Sequence, residues 1–217
     1  MTVLLQGGGE FSPGCLPMDS ELVAAVGGPV VVTALAGAPG REHDTANRHG
    51  VAHYRAAGAT DVSAAPDVRS DPEGALAALR RARLVVLPGG SPARLLEALT
   101  STGIAQVLAE LLAAGGAVMG SSAGAMVLGE WTVLPEGGAR VARGLGLVPG
   151  VLVVPHWSGP RGDWLRAVDA GTPPDTDVLG IPEESGVLVG DGGWRPVGRS
   201  PVRLVRADRD LAPQEPT

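Results

Sequence analysis

Lysine is absent from this 217-residue chain, whose seventeen basic residues are all arginine. Without lysine there is no amine to form a Schiff base and no P-loop lysine to bind a nucleotide phosphate. The formal net charge is -6 and the arginines are scattered, so no positive field exists that would attract nucleic acid. The composition therefore argues against nucleic acid as a partner.

Cysteine and long apolar runs are scarce as well. The single cysteine, Cys15, cannot form an internal disulfide, which predicts a reducing, cytoplasmic location. We interpret Cys15 as a surface or semi-buried thiol without a chemical role. No apolar run reaches the roughly eighteen residues of a membrane span, and no basic segment precedes an apolar one at the N-terminus. We therefore expect a soluble, unsecreted protein with no membrane partner.

The chain shows the alternating pattern of an α/β domain. Short β-branched apolar runs alternate with Ala/Leu-rich segments of helical period, which predicts a mostly parallel sheet covered by helices on both faces, in three layers. The strands are expected at residues 2–6, 29–35, 60–63, 83–87, 117–120, 151–154 and 178–181. The helices are expected at residues 18–26, 42–57, 72–81 and 104–114. Asp71-Pro72 and Ser91-Pro92 each supply an N-cap followed by proline.

The pattern changes after residue 181. Closely spaced strand candidates at residues 187–189, 195–197 and 202–205 predict an antiparallel hairpin on the sheet edge. Residues 207–217 are charged and contain proline, with almost no apolar period, so we expect a disordered tail there. The length fits a single domain, which we place at residues 1–206.

Residues 116–128 carry the pattern with the clearest chemical meaning: a buried strand, a tight turn and a helix. This is the context of a nucleophile elbow, in which Gly120 and Gly124 let strand and helix approach closely. Ser122 is the side chain presented at the carboxyl edge of the sheet. The Ala123 N–H, at the start of the helix, is the natural first donor to an oxyanion. A second donor would come from Gly89 or Gly90, which follow the strand at residues 83–87.

Four histidines are available as a base for Ser122: His43, His49, His53 and His156. His156 directly follows the strand at residues 151–154 and should emerge at the carboxyl edge, so we predict it as the general base. His49 and His53 share a helix face at i,i+4 spacing, but no acid or cysteine accompanies them with matching spacing. A solvated helix face is the better interpretation, and no metal site is predicted.

The identity of the acid that would orient the histidine is not decided by spacing alone. Glu183 and Glu184 follow the strand at residues 178–181, whereas Glu130 and Glu136 lie between Ser122 and His156.

The order of these residues along the chain argues against an α/β-hydrolase, in which the histidine comes last. A nucleotide site at residues 7–9 is disfavoured too, since the glycines do not fit G-x-G-x-x-G and Glu10 would repel phosphate.

These features together resemble the S51 serine peptidases, the family of aspartyl dipeptidase and cyanophycinase. The matching segments, spread over residues 3–206, are Gly7-Gly8-Gly9-Glu10, Leu87-Pro88-Gly89-Gly90, 120–125, 144–150 with Pro155-His156-Trp157, and 180–183. The resemblance implies a flavodoxin-like fold of the class I glutamine-amidotransferase type. It also implies a Ser-His-acid hydrolase with Ser122 as nucleophile and His156 as base.

The resemblance offers two positions for the acid. The cyanophycinase-like branch places it on Glu183, which we favour. The dipeptidase branch has an acid between serine and histidine, where Glu130 or Glu136 is nearest. Related amidotransferases carry cysteine at the elbow, so Ser122 argues against glutamine hydrolysis for ammonia transfer.

The resemblance further implies a small peptide substrate with an aspartyl residue on the acyl side. Arg161 and Arg166 would hold its carboxylate, Gly89 and Ser91 would line the pocket, and Trp157 would form a wall. Family members usually carry Asp or Asn and then Gln or Thr after the paired glycines, where this chain has Ser91-Pro92. No metal or organic cofactor is required. A homodimer is left open as the assembly, and the rival functions are an esterase or amidase with the same triad and a non-catalytic binding protein.

Overall fold

The computed structural model describes residues 1–160 and 162–213 as a mixed α/β fold with two sheets. Its strands are β1 (Thr2–Gln6), β2 (Val30–Val32), β3 (Val62–Ala64), β4 (Leu84–Leu87), β5 (Ala117–Ser121), β6 (Gly129–Leu134), β7 (Arg140–Arg143), β8 (Val148–Pro155), β9 (Asp177–Ile181), β10 (Ser185–Gly190), β11 (Gly193–Gly198), β12 (Val202–Leu204) and β13 (Arg209–Leu211). Its helices are α1 (Leu16–Val26), α2 (Arg41–Ala56), α3 (Pro72–Arg80), α4 (Pro92–Ser101), α5 (Ile104–Ala113), α6 (Ala123–Leu128) and α7 (Gly162–Gly171). The predicted α/β class is confirmed.

The first sheet has the strand order β11-β10-β1-β5-β4-β2-β3. Neighbours from β1 to β3 run parallel, whereas β10 and β11 are antiparallel. Val31 packs with residues of α3, α4 and α5, while Val30 and Val32 pack with residues of α1 and α2 on the other face. Burial on both faces explains why these strands are continuous apolar runs. The predicted hairpin on the sheet edge is β10 with β11.

The second sheet has the order β13-β12-β9-β8-β6-β7 and is also mixed. β6, β8 and β9 run parallel, and the strands outside them are antiparallel. Leu152, Val154 and Val178 pack there with Val168 of α7. The prediction of one mostly parallel sheet is therefore wrong. An apolar run indicates a buried strand but does not determine which strand it pairs with. The sequence therefore predicts β8 and β9 in the same sheet as β1, whereas they lie in the second sheet. β12, predicted as part of the edge hairpin, also lies in the second sheet.

The structure of the C-terminal segment also differs from its prediction. Arg209–Leu211 forms β13, antiparallel to β12, where the sequence predicts the start of a disordered tail. The charged side chains that suggested disorder are paired across this hairpin, because the Arg203 guanidinium contacts the carboxylates of Asp208 and Asp210. Residues 214–217, the last four of the predicted tail, lie outside the described residues.

Both predicted helix caps are present. The Asp71 carboxylate accepts a hydrogen bond from the Gly74 N–H at 2.9 Å, and the Ser91 hydroxyl accepts one from the Arg94 N–H at 3.2 Å. Each cap is followed by proline at the first helical position, so the starts of α3 and α4 are encoded locally.

In the part of the chain that the structure describes, no single helix is long and apolar enough to cross a membrane. The helices α4 and α5, bent by 81° at their junction, pass the same test of length and composition only as a pair.

A polar cluster lies buried between α1 and α2. His53 Nε2 is 2.7 Å from Asp19 Oδ2, and Tyr54 donates to the other oxygen of Asp19 at 3.4 Å. Burial raises the pKa of Asp19, and burial likewise raises the pKa of Cys15 to about 11. His49 is exposed, but the solvated face predicted for both histidines is wrong for His53. Within residues 1–160 and 162–213, no group of three His, Cys, Asp or Glu is placed to hold a metal ion.

Candidate active site

The turn between β5 and α6 has the geometry of a nucleophile elbow. Ser122 adopts φ 50° and ψ -111°, a conformation that non-glycine residues rarely adopt and that is found mostly at functional sites. A Cβ on Gly120 would lie 2.5 Å from the Gly124 carbonyl carbon, and one on Gly124 would lie 2.0 Å from the Leu87 oxygen. Only glycine fits at both positions, as the sequence predicted. The turn therefore presents Ser122 at the carboxyl edge between β1 and β4.

His156 reaches Ser122 from the second sheet. It directly follows β8, and its N–H donates to the Gly7 carbonyl in the loop after β1 at 2.8 Å. Its backbone also has positive φ, at 51°. This placement brings Nε2 to 2.8 Å from the Ser122 Oγ, a hydrogen-bonding distance. The serine and histidine predicted from separate strands therefore lie together, although those strands belong to different sheets.

Glu183 is the acid next to the imidazole. It follows β9, and its Oε1 lies 3.1 Å from His156 Nδ1. The Glu183 side chain is 63% exposed and that of His156 38% exposed, so solvent weakens the electrostatic interaction between them. The arrangement Ser122–His156–Glu183 has the connectivity of a hydrolytic triad, and its acid is exposed to solvent.

The other acids considered from the sequence are held elsewhere. Glu130 contacts Arg143 at 2.5 Å and accepts the Gly150 N–H at 2.8 Å; the Gly150 N–H, and then Arg143, lower the pKa of Glu130. Glu136 accepts a hydrogen bond from the Ser91 hydroxyl at 2.5 Å. Glu184 binds Arg199, which lowers its pKa, and also accepts the Ser12 hydroxyl.

Two backbone N–H groups near Ser122 are available to an oxyanion. Ala123 is the first residue of α6, where backbone N–H groups have no intrahelical acceptor. Gly90 follows β4 in the facing loop, and within the described residues its N–H has no acceptor. The Gly89 N–H, by contrast, donates to Glu10 Oε1 at 2.8 Å. Of the two glycines left open by the sequence, Gly90 therefore has the free donor.

A model of peptidase family S51 matches residues 43–196, well over half of the chain. The chain belongs to peptidase family S51. The matched range contains Ser122, His156 and Glu183, but it does not include the loop after β1 that contacts His156.

One curated relative and two solved structures are also similar to this S51 chain. Cobyric acid synthase of Synechococcus sp. (strain CC9605) is 33% identical over 123 residues, which are 54% of this chain and 24% of the synthase. The chain thus spans about a quarter of that relative's length. A peptidase from an acI-B1 Actinobacterium is 23% identical with a TM-score of 0.83, over 99% of this chain and 95% of the other. A peptidase E protein from Listeria monocytogenes EGD-e is 17% identical with a TM-score of 0.68, over 92% and 98%. At such identities the structural likeness concerns the fold alone.

The residues predicted to bind substrate in the S51 chain have varied surroundings. Ser91 is the N-cap of α4 and also holds Glu136. Trp157 packs into the apolar cluster of the second sheet, with its ring over Gly180, where a Cβ would lie 2.4 Å away. Arg166 is exposed on α7, and Arg161 lies outside the described residues. An arginine that the sequence did not single out, Arg94, donates to the Ala36 carbonyl beside Gly90 at 2.8 Å.

Two further residues at the site were missed from the sequence. Gly8 lies against the imidazole: a Cβ there would be 2.3 Å from His156 Cε1. Glu10 bonds both the Gly89 N–H and the Ser121 hydroxyl. The signal in the sequence is the run Gly7-Gly8-Gly9-Glu10 after the first strand, which contributes to the S51 resemblance and argues against a phosphate site but indicates no separate role for Gly8 or Glu10.

Proposed function

We propose that this chain is a serine-type peptidase that hydrolyses amide bonds of small peptides through Ser122, His156 and Glu183. The observation that carries the proposal is the 2.8 Å contact between Ser122 Oγ and His156 Nε2, made by a serine on a strained elbow. Glu183 beside Nδ1 favours the tautomer in which Nδ1–H donates to the acid and Nε2 accepts from the serine. Membership of family S51 supports a peptide as substrate.

The reaction would proceed through an acyl-enzyme. Ser122 Oγ bonds to the carbonyl carbon of the substrate while its proton passes to His156 Nε2. The N–H groups of Ala123 and Gly90 donate to the oxygen that becomes negative. The imidazolium, stabilised by Glu183, then protonates the leaving amine as the C–N bond breaks. Water repeats the same steps on the ester and releases Ser122.

An aspartyl residue on the acyl side is the proposed specificity. Arginine binds carboxylates through paired N–H groups, and Arg94 lies beside the loop that carries Gly90. Arg166 is a second cation on a solvent-exposed helix face. The half-buried position of Arg94 next to the oxyanion donor gives it the stronger support.

An esterase or amidase would use the same three residues and differs only in substrate. A non-catalytic binding protein predicts a serine and histidine separated by well more than ~3.2 Å, the usual limit for proton transfer. The 2.8 Å separation does not favour that alternative.

A substrate panel tests the proposal directly. We expect kcat/KM for an aspartyl dipeptide to exceed that for its asparaginyl counterpart by at least ~10-fold, because the neutral amide loses the charge-assisted contact with arginine. The panel also contains β-aspartyl-arginine and a simple phenyl ester, each followed by amine or phenol release. Equal rates for both dipeptides would contradict the aspartyl preference, and turnover of the ester alone would favour an esterase.

Replacement of Glu183 tests the acid. In Glu183→Gln the side chain keeps its shape but no longer stabilises the imidazolium, so we expect kcat/KM to fall about 10- to 100-fold. A buried acid would give a larger effect, but Glu183 is 63% exposed and water compensates for part of the loss. Steady-state kinetics on the best dipeptide measure the change.

Glu130→Gln is the matched control, because Glu130 is held by Arg143 and Gly150 away from the imidazole. This variant should retain kcat/KM within about threefold of wild type. A larger loss in Glu130→Gln than in Glu183→Gln would transfer the acid role to the residue between serine and histidine.

A further inference from the structure

Glu10 joins the two sides of the candidate oxyanion site. Its Oε1 accepts the Gly89 N–H at 2.8 Å, and its Oε2 accepts the Ser121 hydroxyl at 3.1 Å. Gly89 lies in the loop after β4, and Ser121 directly precedes the nucleophile at the end of β5. One carboxylate thus connects the loop that carries the Gly90 donor to the turn that carries Ser122.

These contacts lie next to the reacting atoms. A Cβ on Gly89 would be 2.6 Å from Glu10 Oε1 and 3.2 Å from Ser122 Cβ, so Gly89 lies against both the carboxylate and the proposed nucleophile. The Gly89-Gly90 backbone therefore lies beside the space in which a substrate carbonyl would bond to Ser122. Any rotation of that backbone would change the direction of the Gly90 N–H relative to the oxyanion.

Both groups bound by Glu10 need an acceptor. Ser121 is fully buried, and a buried hydroxyl is almost always hydrogen-bonded. A backbone N–H held by a charged acceptor is fixed more strongly than one held by a neutral group. Since the Gly89 N–H is directed to Glu10, the following N–H of Gly90 remains for the substrate.

We propose that Glu10 is a positioning residue that fixes the Gly89-Gly90 backbone against the elbow and so directs the Gly90 N–H at the oxyanion. This inference rests on the proposed serine-peptidase function. Glu10 acts through Gly90 and does not touch the substrate. Its effect should therefore appear in the transition state, where the oxyanion forms, and not in ground-state binding.

Kinetics of Glu10→Ala and Glu10→Gln test the proposal. Loss of one oxyanion donor costs about 10²- to 10³-fold, so a donor held less firmly in Glu10→Ala should lower kcat about 10- to 100-fold. KM should stay within about threefold, because uniform binding is not changed. Glutamine keeps an acceptor oxygen for the Gly89 N–H, and Glu10→Gln should stay within about fivefold of wild-type kcat. Ser121→Ala, which removes only one of the two contacts, should give an intermediate kcat.

A fluorophosphonate probe supplies a second measurement that needs no peptide substrate. Ser122 Oγ bonds to phosphorus, the P–F bond breaks, fluoride leaves, and the serine proton passes to His156. The phosphonyl oxygen occupies the oxyanion position, so labelling of Glu10→Ala should be slower than that of wild type by about the same 10- to 100-fold. Glu97→Ala, which removes an exposed carboxylate of α4, is the matched control and should label at the wild-type rate.

The possible failures are distinguishable. Wild-type protein that is neither labelled nor active would refute the serine-peptidase function, and the inference with it. Labelled, active wild type with an unchanged Glu10→Ala variant would refute the role of Glu10 alone. A rise in KM at constant kcat would overturn the positioning role, because Glu10 would then be a substrate ligand. A Glu10→Gln variant as slow as Glu10→Ala would also overturn it, because glutamine keeps the acceptor for the Gly89 N–H. Far-UV circular dichroism and the thermal midpoint identify a variant that is slow only because it is unfolded.

Discussion

Replacement of Ser122 by alanine should lower turnover of the best peptide by at least ~10³-fold, as expected for loss of a triad nucleophile. Ala123 and Gly90 would still donate to an oxyanion, so a small residual rate should remain. The elbow should keep its shape, because alanine adds nothing to the space that the serine occupies. Steady-state kinetics together with the thermal midpoint separate loss of chemistry from loss of fold.

Two further variants sharpen this test. Ser101→Ala removes a serine hydroxyl at the end of α4, bonded to the Glu97 carbonyl, and should leave turnover unchanged. The double variant Ser122→Ala/His156→Ala should be no slower than Ser122→Ala alone, because residues that act as a unit are not additive. Near-native turnover in Ser122→Ala would rule out the serine as nucleophile, and a multiplicative loss in the double variant would rule out His156 as its base.

Replacement of Gly8 by alanine should lower kcat/KM about 10²- to 10³-fold, although it removes no reacting group. The new Cβ would lie 2.3 Å from Cε1 and 2.5 Å from Nδ1 of His156, closer than atoms can approach. The ring would have to move away from Ser122 or from Glu183, and a displacement of about 1 Å is enough to cost 10²-fold. Activity on the dipeptide panel and the rate of fluorophosphonate labelling should fall together.

Gly27→Ala is the matched control for Gly8→Ala. Gly27 also has positive φ, at 62°, but a Cβ there meets nothing within 4 Å. Gly27→Ala therefore also places a side chain at a positive φ, but without the clash, and it should lower the thermal midpoint without changing kcat/KM. If Gly8→Ala behaved like Gly27→Ala, the imidazole would not depend on the close approach of this loop.

The parts of the candidate site that depend on local sequence were predictable. Ser122 follows an apolar strand and precedes a helix with small residues at the close contacts, and that pattern is sufficient to predict the turn. His156 and Glu183 each follow an apolar strand, so their position at the carboxyl edge was expected. His156 lies beside Ser122, and Glu183 beside His156, although β8 and β9 lie in a second sheet. The His156 N–H donates to the Gly7 carbonyl and so connects the second sheet to the loop after β1.

The parts that depend on distant partners were not predictable. Glu10 and Gly89 are separated by 79 positions, and nothing in either local pattern indicates their hydrogen bond. Similarly, His53 has the spacing of a surface residue but finds Asp19 on another helix and is buried. The helical period predicts which residues lie on the same face of a helix. It does not predict that a charged side chain of another helix, such as Asp19, will pack against that face.

The division of the site between two sheets makes activity a late signal of folding. Ser122 and both proposed oxyanion donors follow strands of the first sheet, while His156 and Glu183 follow strands of the second, and backbone hydrogen bonds from His156 and Glu184 to the loop after β1 connect the two sheets. A molecule with a complete first sheet and an undocked second one would contain the proposed nucleophile without its proposed base. During refolding, recovery of turnover would therefore report the docking of the sheets and not the formation of either one.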